Sequence, residues 1–284
     1  MRGHRRRGDP VTHQSPLGPA PELAPEPARE PISFCFGATR IAVNIPDQAT
    51  LLAEVARRFR AGQGFALATI NLDHLVKLRT DPVFRDIYAA QDLVVADGNP
   101  VVWLSRLAGR PVALVPGSDM VVPLCRVAHE AGVPIALVGS TSEVLDKAAQ
   151  ALTAELPGLR IALCHAPPMG FDPEGVQARD ILRQINAADA RLCLVAMGAP
   201  KQEALARLGR ELAPVCGFAS IGAGLDFIAG TQRRAPRLMR VLALEWLWRM
   251  LLNPRRLAGR YLRCALVLPP AILDAWRLRR ARQR

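Results

Sequence analysis

The sequence predicts an α/β protein: a Rossmann-like, mostly parallel sheet with helices on both faces, followed by a basic helical C-terminal appendage. Two observations carry this. From residue 33 to about 230, short β-branched or apolar runs alternate with amphipathic stretches, the pattern of repeated βα units. Beyond residue 230 the chain holds fourteen arginines against two acids, Glu245 and Asp274, interleaved with Trp and Leu.

Residues 1–32 are rich in proline and poor in large apolar residues, a composition that cannot offset the entropy of ordering. They are expected to be a disordered tail. The α/β domain follows at 33–230, and the appendage at 231–284. Strands are expected at 33–36, 41–43, 65–70, 93–96, 135–138, 161–164, 192–196 and 215–221. Helices are expected at 49–61, 81–89, 100–108, 119–131, 142–155, 176–187 and 201–211. Another reads from Arg237 to Leu252, ending at Asn253-Pro254, with a last basic and apolar helix from about Arg256. Those final helices suit a membrane interface, with apolar faces in the acyl boundary and cations toward anionic headgroups. They equally suit a pair packed on the core with a solvated basic face.

Half of the 284 residues are apolar, so the chain can bury a sizeable core. The formal charge is +12, and Lys77, Lys147 and Lys201 are its only lysines. An arginine bias favours phosphate partners through the planar guanidinium fork, although a GC-rich genome produces the same bias. No run reaches the ~20 apolar residues of a membrane span. The basic start, with Arg2 and Arg5 to Arg7, is followed by a proline-rich stretch in place of the apolar segment of a signal peptide. Six scattered cysteines without metal-site spacing read as reduced, buried thiols of a cytosolic protein. His74, His129 and His165 show no ligand spacing and read as ordinary polar residues.

In open parallel sheets ligands sit at the carboxyl ends of the strands. There Asp97-Gly98 follows a buried run; the acid can serve as a general base or simply cap the helix at Pro100. Thr69 and Asn71 leave the preceding strand on one side, able to hold a sugar or diphosphate, or to cap the helix after Leu72. The segment Met197-Gly198-Ala-Pro200-Lys201-Gln202-Glu203 opens a helix after a strand. Backbone N–H groups, helix dipole and a cation converge there, as an anionic or nucleotide ligand requires. A first-turn lysine opposes the dipole, which argues against a purely structural origin. Gly222-Ala-Gly224 is only part of a dinucleotide fingerprint, since Phe227 stands where glycine is needed, and Asp226 closes that strand-end segment. There is neither a P-loop nor a DxD pair.

Taken in order, Thr69-Ile-Asn71, Ala96-Asp97-Gly98, Gly198-Ala-Pro-Lys-Gln-Glu203, Gly222-Ala-Gly-Leu-Asp226, Gly230-Thr-Gln-Arg-Arg-Ala-Pro236 and Leu244-Glu-Trp-Leu-Trp-Arg249 resemble the WecG/TagA/CpsF glycosyltransferases. The resemblance spans roughly Ile41 to Leu262. It implies an inverting enzyme without metal or cofactor that moves a sugar from a UDP-sugar to a polyprenyl-diphosphate-linked sugar in surface polysaccharide or exopolysaccharide synthesis. It places that enzyme peripherally on the cytoplasmic face of the bacterial inner membrane, against an anionic surface, with homo-oligomers possible. On matching positions, Asp97 is the expected base. Thr69, Asn71 and Gln202 are pocket residues, and Arg249, Arg256 and Arg260 are candidates to complete the site. Asn71 is followed by Leu where the family often has proline.

Two other classes stay open on sequence grounds. A non-catalytic nucleotide- or anionic-lipid-binding module would use the sheet as scaffold only. Nucleic-acid binding through the basic end would give steep salt dependence, but the interleaved Trp and Leu fit a membrane better than a duplex groove, so no nucleic-acid partner is expected.

Overall fold

The computed structural model describes residues 30–232, 235–236, 239, 243–252 and 254–281; the side chains of residues 249, 252 and 256 fall outside that description. The tail expected to be disordered lies, through residue 29, outside the described residues, as does part of the expected helix at 237–252. One compact unit spans Pro31–Arg284.

Strands β1 (Ser33–Phe36) and β2 (Thr39–Ala42) form an antiparallel hairpin with Phe34 opposite Ile41, separate from the main sheet. The main sheet is wholly parallel. Its strands are β3 (Phe65–Ile70), β4 (Leu93–Ala96), β5 (Ile135–Gly139), β6 (Ile161–His165), β7 (Leu192–Ala196) and β8 (Gly217–Ser220), in spatial order β4-β3-β8-β7-β5-β6. Every residue of β3, β5, β7 and β8 is buried, as continuous apolar runs covered on both faces require. At one edge, β6 alternates half-buried with exposed residues. At the other, β4 is shielded: the Ile45 N–H donates to the Val94 carbonyl and the Asn44 side chain accepts from the Val94 N–H, so this edge offers no open ladder.

Helices lie on both faces. On one, α1 (Gln48–Arg60), α5 (Val121–Glu130), α6 (Ser142–Glu155) and α9 (Gly224–Ile228) bury Leu51, Leu124, Leu145 and Leu225 against Leu67, Val95, Ile135 and Leu194. On the other, α2 (Leu72–Thr80), α3 (Pro82–Ala89) and α4 (Asn99–Leu107) cover Ala68, Ile70, Val94 and Ala96, while α7 (Val176–Ala187) and α8 (Lys201–Leu212) cover Val138, Cys193 and Phe218. Sequence reasoning missed α9, which is too short to show a period, and began α5 at Asp119, the last residue of the 3₁₀ turn Gly117–Asp119. Gly139 marks a close strand approach: a Cβ there would stand 2.2 Å from the Ala196 carbonyl oxygen.

After α10 (Glu245–Leu252) comes α11 (Pro254–Ala281), which runs through Pro269 and Pro270 and packs on α2 and α4. Its buried residues Cys264, Ala271 and Ala275, with half-buried Val267 and Leu278, recur every three or four positions, and the small alanines allow close approach. The opposite side carries a second apolar stripe, Leu262, Leu266, Leu273 and Trp276, all exposed. One face of the helix thus packs on the core, and the other carries an apolar stripe toward solvent. Among the described residues, no helix is long and apolar enough to cross a membrane.

The reading of all six cysteines as buried is corrected. Cys125, Cys193, Cys216 and Cys264 are buried, but Cys35 and Cys164 are exposed, because they lie on the hairpin and on the sheet edge. Burial pushes the Cys125 thiol up to about 12, so it is inert as a nucleophile at neutral pH.

Candidate functional site

The carboxyl ends of β3, β4, β7 and β8 bring most of the expected residues together. Asp97 follows β4, and its N–H donates to the Ile70 carbonyl at 2.8 Å, setting it beside the end of β3. The N-cap of α4 is Gly98, which has no side chain to cap with, so the acid stands one residue outside the helix. Gly98 has φ +138°, a conformation L side chains rarely adopt, and a Cβ there would lie 3.5 Å from that of Asn71. The turn therefore keeps Asp97 and Asn71 adjacent.

Asn71 does cap α2, as one sequence reading held. Its Oδ1 accepts from the N–H groups of Asp73 and His74 at 3.1 and 3.2 Å. The ring Nδ1 of His74 accepts the Asn71 N–H at 3.2 Å, taking the place that Glu or Gln holds in most capping boxes. Thr69 is buried at the end of β3, against Gly117, whose added Cβ would lie 3.1 Å from both the Thr69 methyl and the Ser220 carbonyl oxygen.

The loop after β7 leads into α8 without a side-chain cap. Pro200 is the N-cap of α8 and supplies no side-chain cap, so the first-turn N–H groups have no local side-chain acceptor. Gly198 and Pro200 are exposed, a Cβ on Gly198 would meet nothing within 4 Å, and Lys201 opens the helix. Gln202 turns inward: its Nε2 donates to Glu203 Oε1 at 2.7 Å and its Oε1 accepts the Gly222 N–H at 3.1 Å, bridging the turns after β7 and β8. Asp226, on α9, accepts from the Ser140 hydroxyl at 3.3 Å, at the end of β5. A cavity of about 360 Å³ opens beside these turns, lined by Ser118, Asp119, Val122, Phe227 and Ile228.

The C-terminal arginines are less uniformly placed. Arg260, on α11, pairs with Asp73 of α2 at 3.0 Å and so is engaged at the flank of the site. Arg249 lies on α10 and Arg256 on α11, their side chains outside the described residues. Burial pushes the Asp73 carboxyl upward, but the Lys77 hydrogen bond and the Arg260 charge outweigh it and leave Asp73 below the usual carboxylate range. Lys77 in turn holds the carbonyl of Ala199 at 3.1 Å, tying α2 to the loop after β7.

Sequence reasoning missed the interior of the site. His74, read as ordinary, is buried, 3.4 Å from Glu203 through Nε2, and packs against Phe84 and Tyr88. Glu203 is fully enclosed, and so is Tyr88, whose phenol is pushed well up by burial, then by the charges of Glu203 and Asp97. Tyr88 thus lies within electrostatic reach of both acids. The available signal was Glu203 immediately after a glutamine expected to face a ligand.

Among the described residues, no group of three His, Cys, Asp or Glu side chains is arranged to hold a metal ion. Asp97, Asn71, the Gln202 amide and the start of α8, which has no side-chain cap, thus lie along the carboxyl-end edge of the one parallel sheet. The sequence matches the model of the Glycosyl transferase WecG/TagA/CpsF family over residues 38–284, and the chain belongs to that family, as a glycosyltransferase of polysaccharide biosynthesis.

Proposed function

We propose that this glycosyltransferase moves a sugar from a UDP-sugar to a polyprenyl-diphosphate-linked sugar, with inversion and without a metal ion, while docked peripherally on the cytoplasmic face of the inner membrane. The observation that supports this reading is the placement of Asp97 beside Asn71, on the same carboxyl-end edge of the sheet as the start of α8, which has no side-chain cap. Asp97 takes the proton of the acceptor hydroxyl. The freed oxygen pair forms the bond to the anomeric carbon from one side as the bond to the UDP oxygen breaks on the other. The electron pair of that broken bond leaves on the diphosphate.

The departing charge needs fixed positive partners, which stabilise it most when they are in place beforehand. First-turn N–H groups of α8, Lys201 and arginines of α10 and α11 are the candidates, with Arg249 and Arg256 on the elements nearest the chain's basic end. Thr69, Asn71 and Gln202 orient the sugars. The exposed stripe of α11, flanked by cations such as Arg263 and Arg277, supports the peripheral docking, its leucines entering the acyl boundary beside anionic headgroups.

The test is transfer of radiolabelled sugar from a panel of UDP-sugars to a synthetic polyprenyl-diphosphate sugar, in EDTA, by the wild type and by Asp97→Asn. Transfer by the wild type and a loss of roughly 100- to 10,000-fold in the variant, the range of general-base contributions, supports the reading. No transfer from any donor by a folded, vesicle-bound wild type refutes it.

A further inference from the structure

Glu203 is 0 % exposed, in the first turn of α8. Removing a carboxylate from water costs several kcal/mol unless partners compensate. A first-turn acid gains from the helix dipole, but an exposed carboxylate gains that too, so the dipole does not account for the burial. Its contacts do. Oε1 accepts from Gln202 Nε2 at 2.7 Å, which commits the nitrogen end of that amide and leaves the oxygen end to take the Gly222 N–H at 3.1 Å.

The same oxygen faces His74. Because Nδ1 of the ring accepts the Asn71 N–H at 3.2 Å, the ring proton resides on Nε2, which lies 3.4 Å from Glu203 Oε1, an electrostatic contact outside good hydrogen-bond alignment. From the turn after α3, Gln91 Nε2 donates to the Glu203 backbone carbonyl at 3.1 Å and to the Ile87 carbonyl at 3.0 Å. The turns after β3, β7 and β8 are therefore all referenced to one carboxylate: Asn71 through His74, Gln202 directly, and Gly222 through Gln202.

We propose that Glu203, acting with His74, is a positioning residue for sugar transfer, fixing Gln202, the Gly222 N–H and Asn71 relative to Asp97 without touching either substrate. This rests on the transferase reading above. A side chain that aligned nothing could be replaced at a cost in stability alone, the Gln202 Nε2 donor being left buried without its acceptor.

Three measurements on Glu203→Met and Glu203→Gln test this: melting temperature, kcat and KM for the donor, and exchange of the Gly222 amide hydrogen. Glu203→Met is expected to melt a few degrees below the wild type, because it leaves the buried Gln202 donor unpaired, to lose roughly 10- to 100-fold in kcat, as misplacement by about an ångström does, and to exchange the Gly222 amide faster. Glu203→Gln keeps an acceptor for Gln202 and is expected to recover most of both. The proposal is overturned if folded Glu203→Met keeps wild-type kcat, KM and Gly222 protection, or if Glu203→Gln is as impaired as Glu203→Met. Should Glu203→Met not fold, His74→Asn replaces it. That variant keeps an acceptor near the Asn71 N–H but lacks Nε2–H, and wild-type kcat in it overturns the proposal. If the wild type uses no UDP-sugar, the transferase reading fails, and Gly222 exchange alone judges the positioning.

Discussion

The ammonium group of Lys77 donates to the carbonyl of Ala199, 122 positions further along the chain, at 3.1 Å. It also pairs with Asp73 at 2.9 Å, and Asp73 with Arg260 at 3.0 Å. The C-terminal helix and the loop after β7 are thereby attached to neighbouring turns of α2.

Lys77→Met should loosen the 198–202 loop at little cost to the fold. A hydrogen bond of this kind is worth about 1 kcal/mol, so affinity for UDP should fall roughly five-fold while the melting temperature drops by no more than a few degrees. Calorimetric titration with UDP measures it. Unchanged affinity would mean that the loop holds its shape without α2.

Acid should weaken specific ion pairs in a defined window. The Glu54 carboxyl is lowered from 4.5 to about 2, first by the hydrogen bond from Arg57, against the opposing effect of burial, and then by Arg58. A group whose folded pKa lies below its unfolded one stabilises fully above the unfolded value and stops contributing as pH falls through the folded value. Glu54→Gln should therefore be less stable than wild type by about 1 kcal/mol at pH 7, given partial exposure. The gap should close between pH 4.5 and 2, as read from urea denaturation at each pH. The lowered Asp73 carboxyl has the same sign, so the Arg260 attachment should also weaken as pH falls below the usual carboxylate range.

Gly98→Ala should damage both stability and catalysis. At φ +138° a Cβ is strained whatever the space around it, at about 1 to 3 kcal/mol. Relief of that strain would move Asp97, so transfer should fall further than the melting temperature alone suggests. A variant that melts lower but transfers normally at low temperature would separate the turn from the chemistry.

The two faces of α11 should respond differently to substitution. Leu266→Ser with Leu273→Ser, on the exposed stripe, should leave the melting temperature within a degree or two of wild type and reduce sedimentation with anionic vesicles. Ala271→Glu, on the buried face, should cost more than about 2 kcal/mol by burying an unpaired charge. Equal vesicle binding by the leucine variants would remove the stripe from the docking surface.

Much of the fold was legible because parallel strands buried on both faces write themselves as apolar runs; β3, β4 and β7 fall where those runs predict. The order of the strands was not legible. The run containing Cys164 looks as buried as the one containing Cys193, and only the position of β6 at the edge exposes it. At the site, Asp97, Asn71 and Gln202 were found by the strand-end rule. His74 and Glu203 were not, because their meaning lies in a contact between α2 and α8 that no local spacing records. Of the two alternatives for Asn71, the structure shows the cap, with the side chain lying beside the turn that holds Asp97.

Ile32, ahead of the hairpin, and Ala271 and Ala275, on the last helix, belong to the same apolar cluster over β3 and β4. During synthesis at about 5 to 20 residues per second, Ala275 is added roughly 3 to 10 s after Ser220 completes the final strand. For that interval the nascent chain holds every strand of its sheet and still presents an uncovered patch around Val101 and Leu75. A stalled ribosome, a nonsense codon or a clipped terminus before Ala271 would leave that patch permanently open, offering quality-control proteases and chaperones a surface that the finished protein hides.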